Sequence, residues 1–232
     1  MIKFISDIVV ELLSYNGSDR QIAEAAWVST GSFGQDEAVP GLINYLMKHR
    51  HGSPFEHGQM IFRIHAPIFV WREWHRHRVG FSYNEESARY KKLDPVFYVP
   101  ENHRPMMKVD NWKAGRPKFV VGTPDDVTTM VNNLAHAYAV AYETYEINLE
   151  MGIDPGLARA CLPVGIYSSC IVTCNPRSLM HFLSLRTHSE LASNISYPLY
   201  EIEVPARKCE QIFAQLFPHT HTAFMANGRV AP

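Results

Sequence analysis

The chain has 232 residues, 46% of them apolar, and a formal net charge of −1; it is long enough to bury a core without staples and lacks the basic surplus of a general nucleic-acid binder. No apolar run approaches the roughly 20 residues of a membrane-spanning helix, because Arg, Glu or His interrupts every candidate. The four cysteines, Cys161, Cys170, Cys174 and Cys209, form no Cys-x-x-Cys pair, and no charged-then-apolar leader opens the sequence, so a reduced, soluble, cytoplasmic protein is expected.

Residues 1–14 mix Ile, Val, Phe and Leu as strands do, and Ser18 or Asp19 caps a helix reading RQIAEAAWVS. A second helix is expected through AVPGLINYLMKHR. Within HGSPFEHGQMIFRIHA, Met60, Phe62 and Ile64 alternate with Ile61, Arg63 and His65, the pattern of a strand whose two faces differ. Pro67 opens the helix PIFVWREWHRHR, which delivers the chain into RHRVGFSYNEESARY, residues 76–90. PVFYVP reads as a short strand. Residues 100–122, rich in Pro and Gly without a sustained period, read as a surface insertion.

Thr123, Pro124 and Asp126 make a start signal for the longest helix, and Gly152 ends it in the C′ position. Asp154 and Pro155 start a short helix carrying Arg159. GIYSSCIVTC is a strand rich in β-branched and small residues; Asn175 then caps, and Pro176 begins, the helix RSLMHFLSLRTH. A last helix is expected from about Pro198 to Phe217, kinked at Pro205. Strands mixed irregularly with helices favour an α+β fold with a partly antiparallel sheet flanked by helices. No Gly-x-Gly-x-x-Gly follows a strand, and there is no P-loop, so an ordinary Rossmann site is not expected.

The charge is concentrated at 72–89. On the helix from Pro67, Arg72 and Arg76 stand four apart, a like-charge spacing that costs roughly 0.2–0.5 kcal/mol. Trp71 and Trp74 flank them, and guanidinium groups that are partly buried need acceptors matching their fork, as phosphate and carboxylate oxygens do. Glu73, Glu85 and Glu86 supply some of these. Ser82, Asn84 and Ser87 add donors, and Arg89 adds another fork, so a local phosphate cradle is the reading set against a solvated basic face. Arg159, Arg177 beside a helix start, and Arg186 are further anion candidates, each able to pair with a nearby Glu instead.

Other chemistries fit less well. Cys161 is a nucleophile by type only. Ser87 is not in a Gly-x-Ser-x-Gly elbow. His75 with His77 and His219 with His221 lack the His-x-x-x-His spacing of a helical zinc site, so no metal is expected.

RHRVGFSYNEESARY resembles the motif of flavin-dependent thymidylate synthases, Arg-His-Arg followed after seven or eight residues by Ser; here eight separate Arg78 from Ser87. YLMKHRHGSPFEH, APIFVWREWHRHR, LARACLPVGIY and NPRSLMHFLSLR appear in the family's order, and the resemblance covers most of the chain. It implies a single domain over 1–232 that converts dUMP to dTMP, with methylenetetrahydrofolate as carbon donor and FAD, reduced by NADPH, as hydride carrier, in a homotetramer whose subunits share active sites. FAD would be held by Ser53, Arg76, His77, Arg78, Glu85, Asn175, Pro176, Arg177 and His181. dUMP would meet Glu73, Trp74, His75, Arg76, Glu85, Glu86, Ser87, Ala88, Arg89, Arg159 and Arg186.

Arg186 stands at the family's position for polarising the uracil ring, and Ser87, having no base partner, is implied as a ligand contact. Glu73 stands where many members carry Gln, His181 replaces a frequent Asn, and THSELASNISYPLYEI after Arg186 is longer than usual. An inactive nucleotide- and flavin-binding relative and, less readily, a nucleic-acid-binding module using the Arg-rich helix stay open as alternatives.

Overall fold

The computed structural model of the protein describes residues 1–232. In chain order it forms β1 (Lys3–Ile5), β2 (Val9–Asn16), α1 (Asp19–Trp27), α2 (Val39–Lys48), β3 (Gln59–Pro67), α3 (Ile68–Trp74), β4 (Phe81–Glu85), β5 (Val96–Tyr98), β6 (Pro105–Lys108), β7 (Phe119–Val121), α4 (Pro124–Glu150), α5 (Pro155–Ala158), β8 (Tyr167–Cys174), α6 (Pro176–Arg186), α7 (Tyr200–Leu216) and α8 (Pro218–Ala226). A four-stranded sheet has the order β2-β3-β8-β4; β1 pairs parallel with β5, and β6 antiparallel with β7. The α+β class expected from the sequence is the one observed. No helix is long and apolar enough to cross a membrane.

The chain divides into two compact units. The first comprises Met1–Ile8, His65–Arg72 and Glu85–Ser169. Its core is aromatic: Tyr138, Tyr142 and Tyr145 of α4 pack with Phe97, Leu93 and Ile166, and Phe97 stacks on Tyr138 at 4.7 Å. Buried phenols need partners, and here the Tyr142 hydroxyl donates to Leu93 O at 2.8 Å. Gly165 is required by close approach, since a Cβ there would lie 2.2 Å from the Tyr138 hydroxyl. The expected capping box is present, with the Thr123 side chain accepting from Asp126 N and the Asp126 carboxylate accepting from Thr123 N at 2.9 Å. Gly152 ends α4 at φ +77°.

The second unit comprises Val9–Ile64, Glu73–Asn84 and Cys170–Pro232. Its helices pack as α1 on α2, α2 on α8, and α6 on α7. The alternation in β3 is realised, with Met60, Phe62 and Ile64 buried. Ser18 and Asn175 both cap as expected, accepting from Gln21 N and Ser178 N.

Three elements differ from expectation. First, α3 stops at Trp74 instead of running to Arg78: His77 N turns back to Trp74 O at 2.9 Å, and the Tyr83 hydroxyl donates to Trp74 O and to His77 O at 2.6 Å. These donors satisfy helix-end carbonyls, so Arg72 and Arg76 do not share a helical face, and residues 81–85 form strand β4. Second, the excursion at 100–122 contains the β6–β7 hairpin. Third, α7 continues through Pro205, and a separate α8 follows, begun by Pro218 at its first position, where proline is favoured.

Candidate functional site

In the second unit, α6 runs from its Asn175 cap to Arg186 at its last position. The Arg186 side chain is only 14% exposed. Its Nε donates to His77 Nε2 at 3.0 Å, one Nη pairs with the Glu73 carboxylate, and the other Nη donates to Glu73 O at 3.2 Å. The guanidinium is thus held in one plane by a fork geometry that a Lys would not reproduce.

His77 is edge-on to Phe182 at 4.9 Å. Burial, then the charges of Arg186 and Arg76, push its imidazole down to about 4, so it is neutral and offers Nε2 as an acceptor. Burial also lowers the Arg186 guanidinium, which Glu73 opposes. His75 meets Tyr83 edge-on at 4.8 Å. Trp74 is buried and stacks on Phe182 at 4.5 Å. Arg76 and Arg78, expected as flavin contacts, are exposed.

The same unit has a cavity of about 340 Å³ lined by Asn16, Glu56, His57, Gly58, Gln59, Gly80, Ser82, Thr173, Cys174 and Asn175. Its lining is largely amide, hydroxyl and imidazole. Gly80, at φ +68°, brings the loop against the start of α6, where a Cβ would lie 2.0 Å from Ser178 Oγ. Of the residues expected to hold FAD, Asn175 lines this cavity; Pro176 is buried and is not part of the lining.

Arg177 is committed within the chain, Nε donating to Pro232 O at 2.7 Å and Nη to Glu56 at 2.5 Å. Burial, with the charges of Arg177 and Arg50, lowers the His181 imidazole. Ser53 is exposed on a 3-10 turn, Ser53–Glu56. Ser82 was expected as a donor of the 72–89 run, whereas Asn16, Gln59 and Thr173 escaped the sequence reading. They are scattered polar residues at strand ends, and only the sheet gathers them.

In the first unit a second cavity, about 240 Å³, is lined by Ile68, Glu85, Glu86, Ala88, Leu93, Arg159, Leu162, Ile166 and Ser168. Glu85 accepts from the Ser168 hydroxyl at 2.6 Å. Glu86 is fixed by Ser169 N at 2.8 Å and by Lys91 at 2.7 Å. Ser87 Oγ accepts from Arg89 N at 3.3 Å, and Ser87 O accepts from Tyr90 N and Lys91 N, a turn that leaves Arg89 exposed beside Tyr90.

Arg159 is exposed after α5, Nε reaching Gly156 O at 3.4 Å. Apolar walls, two oriented carboxylates and two outward arginines suit a ring bearing an anionic group. The sequence reading missed Ser168. The adjacent hydroxyls Ser168 and Ser169 in an otherwise apolar strand were the available signal.

The family model for thymidylate synthase complementing protein matches residues 11–219. A flavin-dependent thymidylate synthase of Streptomyces coelicolor is 51% identical, the match covering 100% of this chain and 96% of the relative. A flavin-dependent thymidylate synthase of Tropheryma whipplei is 47% identical over 99% of this chain and 97% of its own length. Among solved structures, the UMP/dUMP methylase PolB from Streptomyces cacaoi, bound with 5-Br UMP, superposes with a TM-score of 0.92 at 47% identity, covering 100% of this chain and 99% of that one. The chain therefore belongs to the flavin-dependent thymidylate synthase family.

Proposed function

We propose that the protein converts dUMP to dTMP as a flavin-dependent thymidylate synthase, taking the carbon from methylenetetrahydrofolate. The observation that carries this reading is Arg186, a nearly buried guanidinium held in a set plane by Glu73 and a neutral His77. A fixed cation of that kind stabilises negative charge developing on the uracil ring without reorganising. Since His77 stays neutral, it aims Arg186 without competing for the anion. Glu73, Trp74, His75, Arg76, Glu85, Glu86, Ser87, Ala88, Arg89, Arg159 and Arg186 serve the nucleotide. Arg89 and Arg159 take the phosphate in bidentate fashion, and Ser87 acts as a ligand contact.

FAD is the implied cofactor, and the larger cavity fits it in chemistry: side-chain amides both donate and accept, as the edge of a flavin ring requires. At about 340 Å³ it takes a part of the cofactor. That accords with a homotetramer of single-domain subunits, insertion at 100–122 included, sharing active sites. Bound FAD, reduced by NADPH, supplies the hydride. Ser53, Arg76, His77, Arg78, Glu85, Asn175, Pro176, Arg177 and His181 bind and orient it.

The test is a spectrum and a turnover assay. Purified protein should carry a flavin band bleached by NADPH, and should release tritium from dUMP labelled at the methylated carbon when the folate is present. Arg186→Ala should abolish release and keep the flavin. A well-folded protein that binds no added FAD would refute the reading, and flavin binding without release would leave an inactive relative.

A further inference from the structure

We propose that the buried pair Glu210–Arg229 is a positioning device for Arg186, acting through the Thr187 hydroxyl; this rests on the reading that Arg186 polarises the uracil ring. Arg229 lies just past α8 with its side chain 1% exposed. One Nη donates to Glu210 Oε1 at 2.5 Å; the other spans Glu210 Oε2 at 3.1 Å and Thr187 Oγ1 at 2.7 Å. Arg207 and His221 complete the Glu210 shell at 3.3 and 3.2 Å.

Two features say that the side chain is kept for placement. Arg229 adopts φ +55°, a left-handed conformation that disfavours any residue with a Cβ. A buried ion pair is also seldom a better stabiliser than apolar groups of the same volume. What the pair does supply is direction. Thr187, accepting from Arg229, donates its own hydroxyl proton to Leu183 O at 2.6 Å, and Thr187 N reaches the same carbonyl at 3.1 Å. The last turn of α6 is thereby closed by a group fixed from outside the helix, one residue after Arg186.

The neighbouring peptide is fixed too. His188 N donates to Glu203 at 2.9 Å, and Arg207, itself bonded to Glu203 and Glu210, donates to His188 O. Arg186 is therefore constrained at both ends: its guanidinium by Glu73 and His77, its backbone by the charged cluster behind Thr187. Misplacing a polarising group by about 1 Å can cost on the order of a hundredfold in rate.

The test uses the FAD-loaded enzyme and two nucleotides, dUMP and 5-bromo-dUMP, whose electron-withdrawing bromine acidifies the ring N–H. At a pH between the two ring values, calorimetric Kd values give a preference ratio for the ionised ring. Thr187→Val should cut that ratio and kcat by roughly tenfold, as expected for losing one hydrogen bond in a charged network, while leaving KM for the folate unchanged. Thr187→Ser should restore both.

Arg229→Lys, which keeps a charge opposite Glu210 but loses the fork, should behave like Thr187→Val and takes its place if that variant does not fold. Wild-type ratios in Thr187→Val and Arg229→Lys, with the ratio lost in Arg186→Ala, would overturn the positioning role alone. An unchanged ratio in Arg186→Ala would overturn the reading of Arg186 and the positioning role together.

Discussion

Replacing Arg229 by Met tests how much the Glu210 cluster contributes to the fold. The Glu210 side chain is 10% exposed. Burial raises its carboxyl, but hydrogen bonds from His221 and Arg229 and the charges of Arg229 and Arg207 outweigh this and bring it from 4.5 down to about 2. At 1.36 kcal/mol per tenfold change, that difference corresponds to ~3 kcal/mol of stabilisation. Because the folded value lies below the unfolded one, the stabilisation is fully present above about 4.5 and is lost as pH falls toward about 2.

Arg229→Met leaves the carboxylate to His221 and Arg207, so the variant should lose the larger part of that stabilisation, ~2 kcal/mol, near neutral pH. Below about 4.5 the gap between the two proteins should close, as Glu210 takes up a proton in the variant. Urea unfolding followed by circular dichroism at neutral and acid pH gives both values. A loss under ~1 kcal/mol, or an equal loss at both pH values, would refute the reasoning.

The other predictions concern the cavities and the loop after α3. His77, held down to about 4 by burial and by Arg186, should stay neutral in an NMR titration well below its ordinary 6.5. The stability it contributes is full above 6.5 and falls as pH drops toward 4; a midpoint near 6.5 in the native protein would count against the Arg186 contact. Ser168→Ala, which removes the donor to Glu85, should weaken dUMP binding by roughly tenfold, measured by calorimetry with the melting temperature as a control. Gly80→Ala places a Cβ 2.0 Å from Ser178 Oγ at φ +68°, so it should destabilise by about 2 kcal/mol and loosen flavin retention, read from the absorbance kept through gel filtration.

The sequence by itself determined the elements that local chemistry dictates. Ser18, Thr123 with Asp126, and Asn175 cap their helices because their side chains reach backbone N–H groups two or three residues on. Met60, Phe62 and Ile64 mark β3 because strand periodicity is two. The polar run from Arg76 to Arg89 stood out because so much charge in so few residues needs partners. From it came the resemblance to the family, and from that resemblance the role proposed for Arg186 and most of the other proposed contacts.

Only the tertiary structure decided where α3 ends, because the Tyr83 hydroxyl, which donates to Trp74 O and His77 O, acts through space rather than through helical propensity. It alone joined Arg186 to His77 and Glu73, more than a hundred residues earlier, and set Ser168 against Glu85. It also brought Arg229 to Thr187 and Glu210. Hydrogen bonds between residues so far apart leave no period or spacing in the chain, since their geometry is set by the packing of whole elements.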